Sequence, residues 1–161
     1  MKDIEEKLMQ DINNIVNDFD FCFHLAAQSR VQPSFDNPEE SLRVNVNGTS
    51  RVMEWSKLNN TKVIYAGSSS KHHKPSESPY AMYKFLGEQI CKLYKKSFGV
   101  KVEIARFYNV YGDGQLTEGA YCTVLGIFER LYKEGKALTV TGDGEQRRDF
   151  TYVGDIVDGL I

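Results

Sequence analysis

TKVIYAGSSS at residues 61–70 and SPYAMYKFLGEQICKLYKKSFG at 78–99 decide the fold. The first is a short apolar run ending in small residues, the pattern of a strand buried on both faces of a parallel sheet. The second predicts a long helix stopped by Gly99. Working outward, FDFCFHLAA at 19–27 predicts another buried strand, ending near Ala26, and VKVEIARFYNV at 100–110 predicts a third. Between the first two strands, a loop containing Pro33 leads into PEESLRVNVNGTSRVMEWSKLNN, read as a helix entered at Pro38 with Glu39 and Glu40 at its positive end. Ile4, Leu8, Ile12, Ile15 and Val16 recur at helical spacing and predict an amphipathic helix over 4–17. Further along, GDGQLTEGA at 112–120 is loop, 120–134 is helix, ALTVTGDG at 137–144 is a strand and turn, and VGDIVDGLI begins a last helix. Strands alternating with helices imply an α/β protein built on a parallel sheet with right-handed crossovers.

The bulk properties narrow the function. A chain of 161 residues with 41% hydrophobic content suffices for one domain and a single sheet. A net charge of -2 gives no electrostatic case for nucleic acid. Cys22, Cys91 and Cys122 are far apart and odd in number, so neither a disulfide framework nor a zinc site is expected. The acidic start MKDIEEKLMQDINNIVNDFD has no signal-peptide pattern and no segment has the length of a membrane span, so a cytoplasmic protein is expected.

Chemistry enters with Tyr80 and Lys84, four residues apart and therefore on one face of a helix. A lysine ammonium beside a phenol favours the phenolate and makes a general base usable near neutral pH. The serines at the end of the preceding strand can supply a second hydroxyl to the substrate oxygen. Taken alone, a Tyr-x-x-x-Lys pair is more often a solvated surface pair than a reaction centre. Its place beyond the carboxyl end of a buried strand, where ligands bind in such sheets, changes the odds. His24 reads as a satisfied core residue, and His72 with His73 as an exposed loop pair rather than a metal site.

The ordered set HLAAQ at 24–28, NVNGT at 45–49, YAGSSS at 65–70, SPYAMYK at 78–84, ARFYNVYG at 105–112 and RRDFTYVGDIV at 147–157 resembles the extended short-chain dehydrogenase/reductase family. The resemblance is greatest to its NAD-dependent epimerases and dehydratases of nucleotide sugars, the UDP-glucose 4-epimerase kind. It implies a Rossmann-type parallel sheet, with 1–161 forming a partial dinucleotide-binding domain and 112–161 entering the substrate-binding region. It further implies that Tyr80 is the catalytic base, Lys84 its partner and a ligand of the nicotinamide ribose, and Ser68 the hydroxyl that orients the sugar, with Ser69 as second choice. Ala26, Ala27, Asn45, Phe107 and Tyr108 would lie on the cofactor side, and Asp3 with Ile4 would contact adenine. Asn109 and Arg148 would hold the nucleotide diphosphate, a task suited to a guanidinium fork. Read singly, Ala26 and Ala27 serve equally as close-packing residues, Asn45 as a polar helix residue, and Arg148 as a partner for Asp149.

The sequence departs from that family in two ways. It has no G-x-G-x-x-G or G-x-x-G-x-x-G, the turn whose backbone amides hold a dinucleotide's pyrophosphate. The first two βα units and most of the C-terminal substrate lobe are therefore expected to be missing, leaving the 19–27 strand as an unprotected edge. The isolated chain is accordingly expected to bind NAD poorly and not to turn over. The link KHHKPSESP is also short and lacks the Tyr-Gly of most relatives. Dehydratases of the family place Asp-Glu directly after the catalytic hydroxyl residue, where this chain has Ser69 and Ser70, so the resemblance favours a 4-epimerase working through a 4-keto sugar over a 4,6-dehydratase. The reading from another class is a non-catalytic remnant or subunit of a split epimerase. Helices at 38–58 and 78–98 resemble those that pair the family's subunits, through which a homodimer is possible, although Phe85, Leu86, Ile90, Leu93 and Tyr94 also read as core.

Overall fold

The computed structural model describes residues 19–72 and 74–161; the helix expected at 4–17 and the adenine contacts expected of Asp3 and Ile4 lie outside the described residues. The chain divides into two compact units, with the boundary between Ala105 and Arg106.

Strands β1 (Phe21–His24), β2 (Lys62–Ser68) and β3 (Val102–Phe107) form a sheet in that order, all in the first unit but for the last two residues of β3. β1 runs parallel to β2, pairing Cys22 with Val63 and His24 with Tyr65. Every residue of β2 after Lys62 is buried, which is why its sequence is an unbroken apolar run rather than an alternation. On β1 the alternation survives: His24 is buried while Phe21 and Phe23 are exposed.

The crossover from β1 to β2 is a relay of helical pieces: α1 (Val31–Asp36), α2 (Pro38–Leu42), a π-helical turn (Arg43–Asn47) and α3 (Gly48–Asn59). Pro33 sits inside α1, correcting the expected loop: in the first turn of a helix a proline's missing N–H costs nothing. Asn37 caps α2, its side chain accepting from the Glu40 N–H, with Pro38 at the first helical position as the sequence predicts. The π turn is not readable from the sequence; such turns are frequent at functional sites.

After β2 come two short 3-10 turns, Ser69–His72 and Pro75–Glu77, and then α4 (Pro79–Phe98). Ser78 caps this helix by accepting from the Ala81 N–H, Pro79 opens it, and Gly99 ends it with a left-handed φ of 70°. Met53 of α3, Cys91 of α4, Val63 and Tyr65 of β2, and Val100 and Val102 close one core between sheet and helices. On α4, Phe85 and Leu93 are exposed, while Leu86, Ile90 and Tyr94 are partly buried.

The third strand is shorter than its sequence suggests. It stops at Phe107, and Asn109 turns the backbone with a positive φ of 38°. Val110 and Tyr111 form β4, which pairs in parallel with β5 (Thr151–Tyr152) in a separate two-stranded sheet, so the expected single sheet is two. This second unit also holds α5 (Val124–Lys133), capped by Thr123, and α6 (Val153–Leu160). The strand expected at 137–144 is absent, though its turn forms: a strand needs a paired neighbour, and none of the described strands pairs with this segment. Among the described residues no helix is long and apolar enough to cross a membrane, no group of His, Cys, Asp and Glu could hold a metal, and the three cysteines are free thiols.

Candidate active site

The carboxyl end of β2 and the start of α4 meet at Ser68 and Tyr80, whose hydroxyl oxygens lie 3.2 Å apart. Ser68 is the last residue of β2 and is 8% exposed. Its Oγ also accepts from the Ser70 N–H at 3.1 Å, which fixes the serine rotamer against the following turn. Of the two serines weighed as the sugar-orienting hydroxyl, Ser68 faces the phenol; Ser69 starts the 3-10 turn.

Tyr80 is held from below by its own backbone. It is the second residue of α4, where a helix leaves its N–H without an internal partner. Ser34 of α1 takes that N–H on its Oγ at 3.0 Å and donates its own proton to the Val31 carbonyl at 2.6 Å. Ser34 is fully buried and escaped sequence reading, since a serine in a segment read as loop carries no signal.

Lys84 lies one turn beyond Tyr80 and is 5% exposed. Its ammonium donates to the Ala66 carbonyl at 2.5 Å and stands 4.8 Å from the centre of the Tyr65 ring. Burial pushes its pKa down to about 8, against the opposing pull of Cys91 and Glu88. Burial likewise raises the Cys91 thiol to about 12, aided by Glu88. Burial lowers His24 to about 4, with the Lys84 charge acting in the same direction.

His24 is the satisfied core residue the sequence suggests. Its Nε2 lies 3.1 Å from Thr49 Oγ1, whose proton goes to the Asn45 carbonyl at 2.8 Å. The Thr49 oxygen is thus the acceptor and His24 carries its proton on Nε2. Asn45, within the π turn and 2% exposed, clamps the chain after β1: its Oδ1 accepts from the Gln28 N–H at 2.9 Å and its Nδ2 donates to the Gln28 carbonyl at 3.1 Å. That clamp holds the segment carrying Ala26, exposed, and Ala27, half-buried. Among the described residues no donor reaches the buried Gln28 Oε1.

In the second unit, Phe107 and Tyr108 are half-buried and Arg148 is exposed. Asn109 donates through Nδ2 to the Asp149 carbonyl at 2.8 Å, and Arg148 Nη1 donates to the Arg147 carbonyl at 2.8 Å. Both residues are thereby tied to the short segment leading into β5.

The first unit thus combines a parallel α/β sheet with a serine, a tyrosine and a buried lysine near the end of one strand. The sequence matches the NAD dependent epimerase/dehydratase family over residues 5–161, and the chain belongs to that family. It is 36% identical over 97% of its length to an uncharacterised UDP-glucose epimerase, YtcB, of Bacillus subtilis, of which it covers 52%. Its structure is similar to a UDP-N-acetylglucosamine 4-epimerase from Methanobrevibacter ruminantium in complex with UDP-N-acetylmuramic acid, with a TM-score of 0.86 and 32% identity, covering 92% of this chain and 52% of that one. It is also similar to a UDP-glucuronic acid 4-epimerase point mutant from Bacillus cereus bound to a fluorinated UDP-glucuronic acid and NAD, with a TM-score of 0.80 and 30% identity, covering 93% and 51%. The chain spans about half the length of these relatives.

Proposed function

We propose that this chain carries the proton-transfer centre of a nucleotide-sugar 4-epimerase that uses NAD, and that the 3.2 Å contact between Ser68 and Tyr80 is the observation that carries the reading. Two hydroxyls at that spacing can share one substrate hydroxyl: Ser68 donates to it and Tyr80 takes its proton. Lys84 supplies a positive charge on the same helix face, and Ser34 keeps the Tyr80 backbone from shifting.

The residues present fit the nicotinamide-ribose half of the cofactor. Ala26 and Ala27 leave the end of β1 without bulk, Gln28 offers a buried acceptor that no donor among the described residues reaches, and Lys84 offers an ammonium for ribose hydroxyls. Asn45 keeps this wall in register, and Phe107 with Tyr108 are assigned to the nicotinamide side. The chemistry a bound NAD supplies is reversible hydride acceptance from the sugar carbon that bears the hydroxyl. No glycine-rich turn for the pyrophosphate is found in the sequence, so the chain alone is expected to bind NAD weakly and not to turn over. Asn109 and Arg148 are assigned to the substrate diphosphate, and Leu58, Phe85, Leu93 and Phe98, all exposed, to a homodimer face.

Ser69 and Ser70 follow the orienting hydroxyl, and neither can act as an acid or base near neutral pH. That supports epimerisation over dehydration. The test is turnover of UDP-glucose, UDP-N-acetylglucosamine and UDP-glucuronate at C4 by the polypeptide as its host makes it, with Tyr80→Phe and Ser68→Ala beside it. Loss of turnover with cofactor binding kept is expected; unchanged turnover in Tyr80→Phe would remove the phenol from the chemistry.

A further inference from the structure

Lys84 is a cation inside a core, and one hydrogen bond to the Ala66 carbonyl is a poor substitute for water. Tyr65 is the other group beneath it, 2% exposed, with its ring centre 4.8 Å from the ammonium. The ring is fixed on two sides. His24, its partner in the β1–β2 ladder, stacks at 5.6 Å between centres with the planes tilted by 50°, and is itself anchored to Thr49 of α3. The Tyr65 hydroxyl rests on α4 at Gly87, where an added Cβ would come within 2.2 Å of it. Lys84 and Gly87 are three apart on one helix face, so seating the hydroxyl at Gly87 brings the ring under the lysine. Among the described residues that hydroxyl makes no well-formed hydrogen bond, with Thr49 the polar side chain that acts on it, a cost for a buried phenol.

We propose that Tyr65 is a positioning residue for Lys84: its ring face and the Ala66 carbonyl together form the cradle that keeps a charged lysine inside the fold, with Gly87 setting the ring's depth. An aromatic face attracts an ammonium most strongly where water is excluded. The groups facing Lys84 are His24 from β1, Tyr65 from β2, and Glu88 with Cys91 from α4; Tyr65 is the one whose ring lies against the ammonium. The inference deepens the assignment of Lys84 to the reaction centre and rests on that assignment for its meaning, since a lysine serving a cofactor and a phenol must stay charged and in place.

The experiment follows the Lys84 side-chain carbon shift by NMR against pH, on the chain alone without cofactor or substrate. Tyr65→Phe keeps the ring and is expected to titrate like the parent. Phenylalanines carrying one, two and three ring fluorines at position 65 change size little but drain the face of electron density. The Lys84 midpoint is expected to fall stepwise along that series, by about one pH unit in all, a tenfold fall in the ratio of charged to neutral lysine at a given pH. Gly87→Ala, which displaces the hydroxyl, is expected to lower it as well. A midpoint that does not move along the fluorine series, or one that moves as far in Tyr65→Phe alone, overturns the proposal. Because turnover is not read, the outcome is separate from the epimerase assignment: a flat series with an inactive Tyr80→Phe enzyme removes only Tyr65, and a graded series with a fully active Tyr80→Phe enzyme removes only the assignment.

Discussion

The two units of the chain are built differently. Among the described residues, every buried hydrophobic side chain lies between Met53 and Val102, in the first unit. The second unit exposes Leu116, Tyr132, Leu138 and Val140, and its two strands are two residues each. The residues assigned to proton transfer sit in the unit with the core, where neighbours fix rotamers and burial shifts pKa values. The residues assigned to the diphosphate sit in the other, where Arg148 is exposed and Asn109 is placed by a left-handed turn. A general base has to be held to within a fraction of an ångström, while a guanidinium on a flexible stem can reach for a phosphate.

The sharpest break in this contrast is Tyr80→Phe, expected to lower turnover by about 10²–10⁴-fold with no loss of thermal stability, measured by sugar epimerisation and calorimetry on the same preparation. Next, Met53→Ala empties a site that is 0% exposed and is expected to cost about 2–5 kcal/mol in urea unfolding. The matching change in the second unit, Val140→Ala at a site 68% exposed, is expected to stay within about 0.5 kcal/mol.

Titration sharpens the comparison from the side of charge. His24 has a folded pKa of about 4 against an ordinary 6.5, so the unfolded chain binds the proton first. Stability is therefore fully present above pH 6.5 and is lost as the pH falls towards 4, by up to about 3 kcal/mol. Lys84, lowered to about 8 from 10.5, works in the alkaline range: from pH 8 to 10.5 the unfolded chain holds a proton the folded chain has released, and stability rises with pH. Unfolding free energies from pH 4 to 10 check both, and His24→Asn is expected to flatten the acid limb alone. An unchanged acid limb would mean that His24 is accessible to protons in the native state.

The smallest effect expected in the first unit is that of Ser34→Ala. It leaves the Tyr80 N–H without its acceptor and is expected to cost about 1–2 kcal/mol, with a fall in turnover larger than that of any other non-contacting serine. A stability loss with turnover intact would make Ser34 a helix cap and nothing more.

Residues 61–70 and 78–99 announced their own structure because each carries a complete local signal: an apolar run closed by small residues, and an apolar periodicity ended by a glycine. The same clarity failed at Pro33, where a helix breaker fell in the one turn that tolerates it, and at 137–144, where strand-like residues found no paired neighbour. It failed also at 43–47, because nothing in RVNVN marks a π turn. For the site, the spacing of Tyr80 and Lys84 was legible, and so were the serines of 68–70. Ser34, Thr49, Gln28 and Tyr65 were not, since each acts through a residue at least 15 positions away, as the 46-residue gap between Ser34 and Tyr80 illustrates.

What the sequence determined by itself was the alternation of strand and helix, the family, and the order in which a serine, a phenol and an ammonium come along the chain. Those are properties of local pattern, read within one or two turns of backbone. Only the tertiary structure decided that Ser68 rather than Ser69 meets Tyr80, and that Lys84 lies buried against Tyr65 and the Ala66 carbonyl. Contacts of that kind depend on how separate elements pack, and packing is set by the shapes of distant side chains, which no short window of sequence contains.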